Sequence, residues 1–255
     1  MILAEICAKS HIRASAINPE IIVRAEDEKR HPLNIKEAFD NCSTDKNAVI
    51  AEIKYKTPSD KSINSQKKPN ELAGIYEAGG ACAISVLTEP FFFEGSVDYL
   101  MQVKESTKLP VLRKDFIVSK IQIYESYVCG ADSVLLISKV LKENLKEYIS
   151  LCHSFAMEPL VEVRSSSEAE NALNSDAKIV GINNRNLVDM KIDLNKTKEI
   201  SEILSDSGVL AVSESGIKTN ADISALKKYC NGFLIGTALM KAKDPKEVLE
   251  GFVFA

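Results

Sequence analysis

Charged and polar residues fall at the ends of short apolar runs. Glu52 and Lys54 close the run at 48–54 (AVIAEIK), and Lys114 follows the run at 110–113 (PVLR). Glu162 sits in 159–163 (PLVEV), Asn183 ends 179–183 (IVGIN) with Arg185 two residues beyond, and Glu214 follows 209–213 (VLAVS). Successive side chains on a strand point to opposite faces. Ile50, Glu52 and Lys54 therefore share a face, as do Leu112 with Lys114 and Leu160 with Glu162. The same holds for Gly181 with Asn183 and Arg185, and for Val212 with Glu214. If the apolar member of each set looks inward, five strands aim polar groups into one mouth. A single glutamate at a strand end is more often a loop or cap contact. Several charges buried together cost several kcal/mol each unless paired, and mixed Lys and Glu in a cleft tunes acid and base strength. General acid–base chemistry is what this set suits.

A second feature lies in the last two runs. Ser215-Gly216 follows Glu214, and Gly236-Thr237 ends the run at 233–236 (FLIG) ahead of a helical stretch. Glycine lets the backbone approach phosphate oxygens, and amides at a helix start favour an anion. Phe91-Phe92-Phe93 then stands in a loop after 83–87 (AISVL), where the two readings are that at least one ring covers an apolar ligand or that a ring packs on the loop itself.

The elements that must position these residues are visible as a repeat. Counting 133–137 (SVLLI), there are eight short β-branched runs, each nearly all apolar. Strands of a parallel sheet covered on both faces look like this. Between them, 119–129, 142–154, 166–174, 192–204, 220–229 and 244–252 carry apolar residues at helical spacing, several opened by Ser, Asn or Asp. Eight strand–helix units in 255 residues is the arithmetic of a TIM barrel, an α/β fold whose active site and phosphate site sit at the C-terminal ends of the strands. An open doubly wound sheet would need fewer strands and usually shows a GxGxxG turn, which is missing. Pro110 and Pro159 are placed at strand starts, where a missing N–H costs little. Residues 1–47 then form a helical extension, with Ile2/Ile6 and Ile35/Phe39 at i,i+4, expected to plug one end of a barrel of residues 48–255.

Composition narrows the function classes. The net charge of -4 gives no electrostatic footprint for nucleic acid. No apolar run approaches the roughly 18 residues of a membrane span, and the N-terminus lacks the form of a secretory signal. Cys7, Cys42, Cys82, Cys129, Cys152 and Cys230 are scattered with no CxxC pair, so they read as thiols of a reducing compartment, the cytoplasm. His11, His31 and His153 stand at no strand end, and neither a metal site nor a P-loop nor a GxSxG turn appears.

Six blocks in order resemble the indole-3-glycerol phosphate synthase family. They are residues 50–54 (IAEIK), 112–118 (LRKDFIV), 158–162 (EPLVE), 181–187 (GINNRNL), 213–217 (SESGI) and 233–240 (FLIGTALM). The resemblance implies conversion of 1-(2-carboxyphenylamino)-1-deoxyribulose 5-phosphate to indole-3-glycerol phosphate, carbon dioxide and water, in tryptophan biosynthesis. It implies Lys114 as the general acid on the ribulose carbonyl oxygen and Glu162 as base in the later dehydration. It also implies catalytic roles for Lys54, which holds the anionic substrate and shares in proton transfer, and for Glu52, which orients it. Asn183, Arg185 and Glu214 surround the substrate's carboxylate, hydroxyls and ring nitrogen. Ser215, Gly216, Gly236 and Thr237 match the phosphate clamp, and Phe93 and Phe116 the aromatics near the anthranilate ring. The aniline nitrogen can push electrons into the ring and accept them back, so no cofactor sink is needed. A buried lysine, or one crowded by cations, gives up its proton more easily, and that lowering is expected at Lys114.

Two departures stand out. The family's first loop usually reads close to Lys-x-Lys-Ser-Pro-Ser-x-Gly, and here residues 54–61 read KYKTPSDK. Thr57 keeps the hydroxyl, but Lys61 replaces the glycine, so the loop is expected to fold differently or close more slowly. The extension matches poorly, leaving its substrate contacts open. Two other readings stay on the table. One is phosphoribosylanthranilate isomerase or another phosphosugar barrel enzyme, the isomerase wanting a cysteine and an aspartate where this chain has Glu52–Lys54 and Asn183. The other is a non-catalytic phosphosugar binder. The partner expected is a phosphosugar substrate, the protein a monomer, with other tryptophan-pathway enzymes as candidate associates.

Overall fold

The eight apolar runs form eight parallel strands: β1 Ala48–Ile53, β2 Ala83–Leu87, β3 Val111–Lys114, β4 Ser133–Ile137, β5 Leu160–Val163, β6 Ile179–Asn183, β7 Leu210–Glu214 and β8 Gly232–Ile235. The computed structural model describes every residue except 1, 43, 59–62, 64 and 65. Lys61, with Ser59 and Asp60 of the first loop, lies outside the described residues. Each strand pairs with the next and β8 pairs back on β1, closing a TIM barrel in sequence order. Pro110 and Pro159 stand one residue ahead of β3 and β5 rather than inside them, so neither strand lacks a ladder N–H.

Three helices precede β1: α1 Ile2–Ser15, α2 Glu20–Asp27 and α3 Ile35–Asp40. Within the barrel follow α4 Pro69–Ala78, α5 Val97–Ser106, α6 Ile121–Val128, α7 Ser138–Leu141, α8 Leu145–Ser154, α9 Ser166–Asn174, α10 Asn195–Leu204, α11 Asn220–Leu226, α12 Thr237–Lys241 and α13 Pro245–Val253. Four of these starts carry side-chain caps. Ser96, Ser165, Thr219 and Asp244 each accept a first-turn amide of α5, α9, α11 and α13. The helix expected at 192–204 begins only at Asn195, because Ile192 pairs antiparallel with Arg185. The one expected at 119–129 begins at Ile121, where Gln122 Oε1 takes the amides of Val118 and Ser119 at 2.9 and 3.1 Å.

Strand parity divides the core as alternation requires. Ile50, Leu112, Leu135, Leu160, Ile179, Val212 and Leu234 fill the barrel interior. Their neighbours Val49, Ala51, Ile84, Val111, Val134, Val161 and Val180 face the helices. This layering carries the inward polar residues to the same end of the barrel.

The extension does more than plug one end. Ile35 and Phe39 of α3 are buried against the barrel floor, and a Cβ on Gly232 would stand 2.5 Å from Phe39 Cε1, so β8 starts with glycine to admit the ring. α2 runs along α6. α1 lies at the opposite end, where Ser10 Oγ donates to the Phe116 carbonyl at 2.5 Å. Among the described residues no helix is long and apolar enough to cross a membrane.

Candidate active site

Every acid, base, substrate-contact and phosphate-site candidate from Glu52 to Thr237 lines one cleft at the C-terminal ends of the strands, about 860 Å³ with its solvent included. Glu52 and Lys54 come from β1 and the residue just beyond it, and their side chains are hydrogen-bonded to each other. Lys114 ends β3, Glu162 lies on β5, and Asn183 and Glu214 end β6 and β7 as register partners. Lys114 Nζ stands 3.2 Å from Glu214 Oε2 and 3.5 Å from Glu162 Oε2. An ammonium between two carboxylates, with a second such pair across the barrel, is what proton transfer requires.

Lys114 departs from the sequence expectation. Burial pulls its pKa down, but the carboxylates of Glu214, Glu162 and Glu52 outweigh that, and the net direction is upward. The lysine is crowded by anions, not cations, so its charged form is favoured. Glu214 shows the reverse. Burial pushes its carboxyl up to about 7; Lys114 opposes the rise, and Glu162 and Glu52 add to it. Its second oxygen, Oε1, is buried with no hydrogen-bond partner among the described residues.

Two glycines make room for these carboxylates. A Cβ on Gly181 would lie 1.9 Å from Glu214 Oε1, and one on Gly236 would lie 2.4 Å from Glu52 Oε1. Gly236 therefore does two jobs, since it also precedes α12, which no described side chain caps. Facing it, Ser215 and Gly216 have φ of 66° and 90°. A left-handed serine is strained and persists only where its surroundings fix it. Asn184 supplies that. Its buried amide donates to the carbonyls of Glu214 and Ser215 at 3.0 and 3.1 Å and accepts from Thr197 at 2.9 Å. Bare helix-start amides opposite a fixed glycine turn offer a place that can take an anion.

The opposite wall is apolar. Phe93 and Phe116 pack with ring centroids 6.1 Å apart. Of the three phenylalanines in a row, only Phe93 lines the cleft; Phe91 and Phe92 lie outside it under the Lys9 ammonium. Leu187 and Met190 complete this wall from the loop after β6; Leu187 closes the 181–187 block, and no pattern in the sequence marked Met190. Beside it, Ile2, Leu3 and Ile6 of α1 close a small apolar cavity that shares Phe93, Phe116, Leu187 and Met190 with the cleft. Arg185 reaches the cleft from the same loop, its amide bonded to Asn183 Oδ1 at 2.9 Å. Thr57 lines the side toward β1 and is buried.

A family model of indole-3-glycerol phosphate synthase matches residues 3–252. The chain belongs to the indole-3-glycerol phosphate synthase family. The match takes in α1 to α3, so the extension is part of the family pattern, against the expectation that it matches poorly. The indole-3-glycerol phosphate synthase of Aquifex aeolicus is 44% identical over 239 residues, 91% of each chain. That of Ruminiclostridium cellulolyticum is 40% identical over 252 residues, 96% of this chain and 95% of the relative. Among solved structures, a thiamine phosphate pyrophosphorylase from Pyrococcus furiosus aligns with TM-score 0.61 at 16% identity, over 81% of this chain and 93% of that one. At that identity the likeness speaks for the barrel alone.

Proposed function

We propose that the protein closes the indole ring: it converts 1-(2-carboxyphenylamino)-1-deoxyribulose 5-phosphate to indole-3-glycerol phosphate, carbon dioxide and water. The observation that carries this is the Lys114 ammonium set between Glu162 and Glu214 at the base of a cleft with a place that can take an anion on one side and an aromatic wall on the other. The substrate has a phosphate at one end and an aromatic ring bearing a carboxylate at the other. In this reading the phosphate sits in the cradle of Ser215, Gly216, Gly236 and Thr237. The ring lies against Phe93 and Phe116, with α1 behind them.

The chemistry follows from that placement. As the ring carbon attacks, the ketone oxygen becomes strongly basic, and Lys114 delivers its proton there. A tightly held ammonium suits such an acceptor. Loss of carbon dioxide returns the electron pair toward the aniline nitrogen, which needs no external sink. Glu162 then takes a proton as water leaves. Lys54, paired with Glu52, and Arg185 offset the carboxylate, with Asn183 and Glu214 on the hydroxyls and ring nitrogen and Thr57 at the rim. The same reading takes residues 1–47 as an extension of a barrel of 48–255, and the protein as a cytoplasmic monomer. Expression in bacteria lacking this ring-closing step tests the reading. Growth without tryptophan is expected; growth only when indole is supplied counts against it.

A further inference from the structure

Asp115 follows Lys114 just past the end of β3 and, like it, borders the cleft. Its carboxylate is fully buried, yet five donors converge on it. Arg13 Nη1 and Nη2 reach it from α1 at 3.0 and 2.6 Å, Thr88 Oγ1 at 2.6 Å, Arg113 Nη2 at 3.2 Å and the Phe116 amide at 2.8 Å. Arg113 is shared, since its Nη1 also pairs with Glu125 at 2.8 Å. Two guanidiniums thus meet two carboxylates, and Arg13 is the one brought by a distant element. One turn earlier on α1, Ser10 Oγ holds the Phe116 carbonyl. The two residues immediately after Lys114 are both gripped by α1.

This grip matters because the sheet holds Lys114 on one side only. On the β2 side Lys114 is in register with Leu87, and its carbonyl accepts the Thr88 amide at 3.0 Å. On the β4 side the ladder stops at Arg113. The end of β3 is therefore set by what Asp115 and Phe116 are bonded to.

We propose that Arg13 is a positioning residue for Lys114. Through Asp115 it fixes the end of β3, and with it the distances from Nζ to Glu162 and Glu214. α1 is on this account a working part of the proton-transfer site. The inference rests on the role given to Lys114 above.

The test uses the full chain with Arg13→Met, which keeps the apolar stem, and Arg13→Lys, which restores one charged donor. A misplacement near 1 Å costs about 10²-fold in rate, so Arg13→Met is expected to lower kcat about 10- to 100-fold per folded molecule. KM should change less than about threefold, and the kcat–pH profile should shift. Arg13→Lys should recover part of kcat. An unchanged kcat and profile, with only a lower melting temperature, overturns the proposal. If Arg13→Met does not fold, Arg13→Lys alone decides on the same two readouts. The ¹⁵Nζ resonance of Lys114 at pH 7 separates this inference from the reading it rests on. A shifted resonance in either variant supports the clasp even if the wild type forms no product. An unmoved resonance refutes it.

Discussion

Gly181→Ala places a methyl group inside the barrel where the Glu214 carboxylate now lies. The new Cβ would stand 1.9 Å from Oε1 and 3.0 Å from Cδ, with Leu160 Cδ1 at 3.5 Å on its other side. Heavy-atom contacts are comfortable near 3.5 Å, so the carboxylate must retreat by about 1.5 Å. Leu160 and Glu214 are both essentially without solvent exposure, which leaves little slack around the methyl. Overpacking of this kind costs about 1–3 kcal/mol, or roughly 2–12 °C in Tm for a chain of this size. The larger effect falls on turnover. Glu214 Oε2 is 3.2 Å from Lys114 Nζ, and a displacement of that size at a reacting group costs about 10²-fold in kcat. Moving the carboxyl toward water also removes the burial that raises it to about 7, so any limb of the kcat–pH profile near neutrality should move to lower pH. Product fluorescence measured from pH 5 to 9, alongside thermal melts, reads all three. Wild-type kcat with an unmoved profile would refute the argument, as would a structure of the variant with Glu214 in place.

Lys114→Ala is expected to lower kcat by about 10²–10⁴-fold with a much smaller change in KM, and unchanged turnover would remove the general-acid role. Asp115 tests the buried network through acid stability. Burial opposes its charge, but Arg113, Arg13 and Thr88 lower its pKa from 3.8 to about 2. A depressed carboxylate contributes stability above its unfolded pKa and loses it as pH falls through the folded one. The wild type should therefore lose about 2 kcal/mol more than Asp115→Asn between pH 5 and pH 2 in urea titrations. At neutral pH the same variant should itself be destabilised by about 3–5 kcal/mol, because its cationic partners stay buried. Asn184→Ala frees the left-handed turn at Ser215, and isothermal titration with inorganic phosphate should show weaker binding. Affinity equal to that of the wild type would mean the turn holds itself.

Much of the site was legible because a strand has period two. With Ile50, Leu112, Leu160 and Val212 interior, parity puts Glu52, Lys114, Glu162 and Glu214 at one mouth, and in the barrel they line one cleft. Ser215-Gly216 and Gly236-Thr237 were readable for a like reason, standing after the last two strands. What sequence could not carry is what depends on distance through space. The upward direction at Lys114 comes from carboxylates on β1, β5 and β7, so a rule about buried lysines pointed the wrong way. Helical spacing said that Ile6 and Phe39 are buried, but not that α1 and α3 go to opposite ends of the barrel. Parity puts Gly181 on the inward face with Asn183, but only the position of the Glu214 oxygen beside it explains why a glycine stands there. Leu187 and Met190 belong to a loop whose course includes a left-handed Met190, and no periodicity predicts that.

The most direct test is a single reaction mixture. Purified protein and 1-(2-carboxyphenylamino)-1-deoxyribulose 5-phosphate, with no added metal or cofactor, should give indole-3-glycerol phosphate fluorescence and carbon dioxide in equal amounts. Substrate left intact by correctly folded protein, or consumed without release of carbon dioxide, would contradict the account.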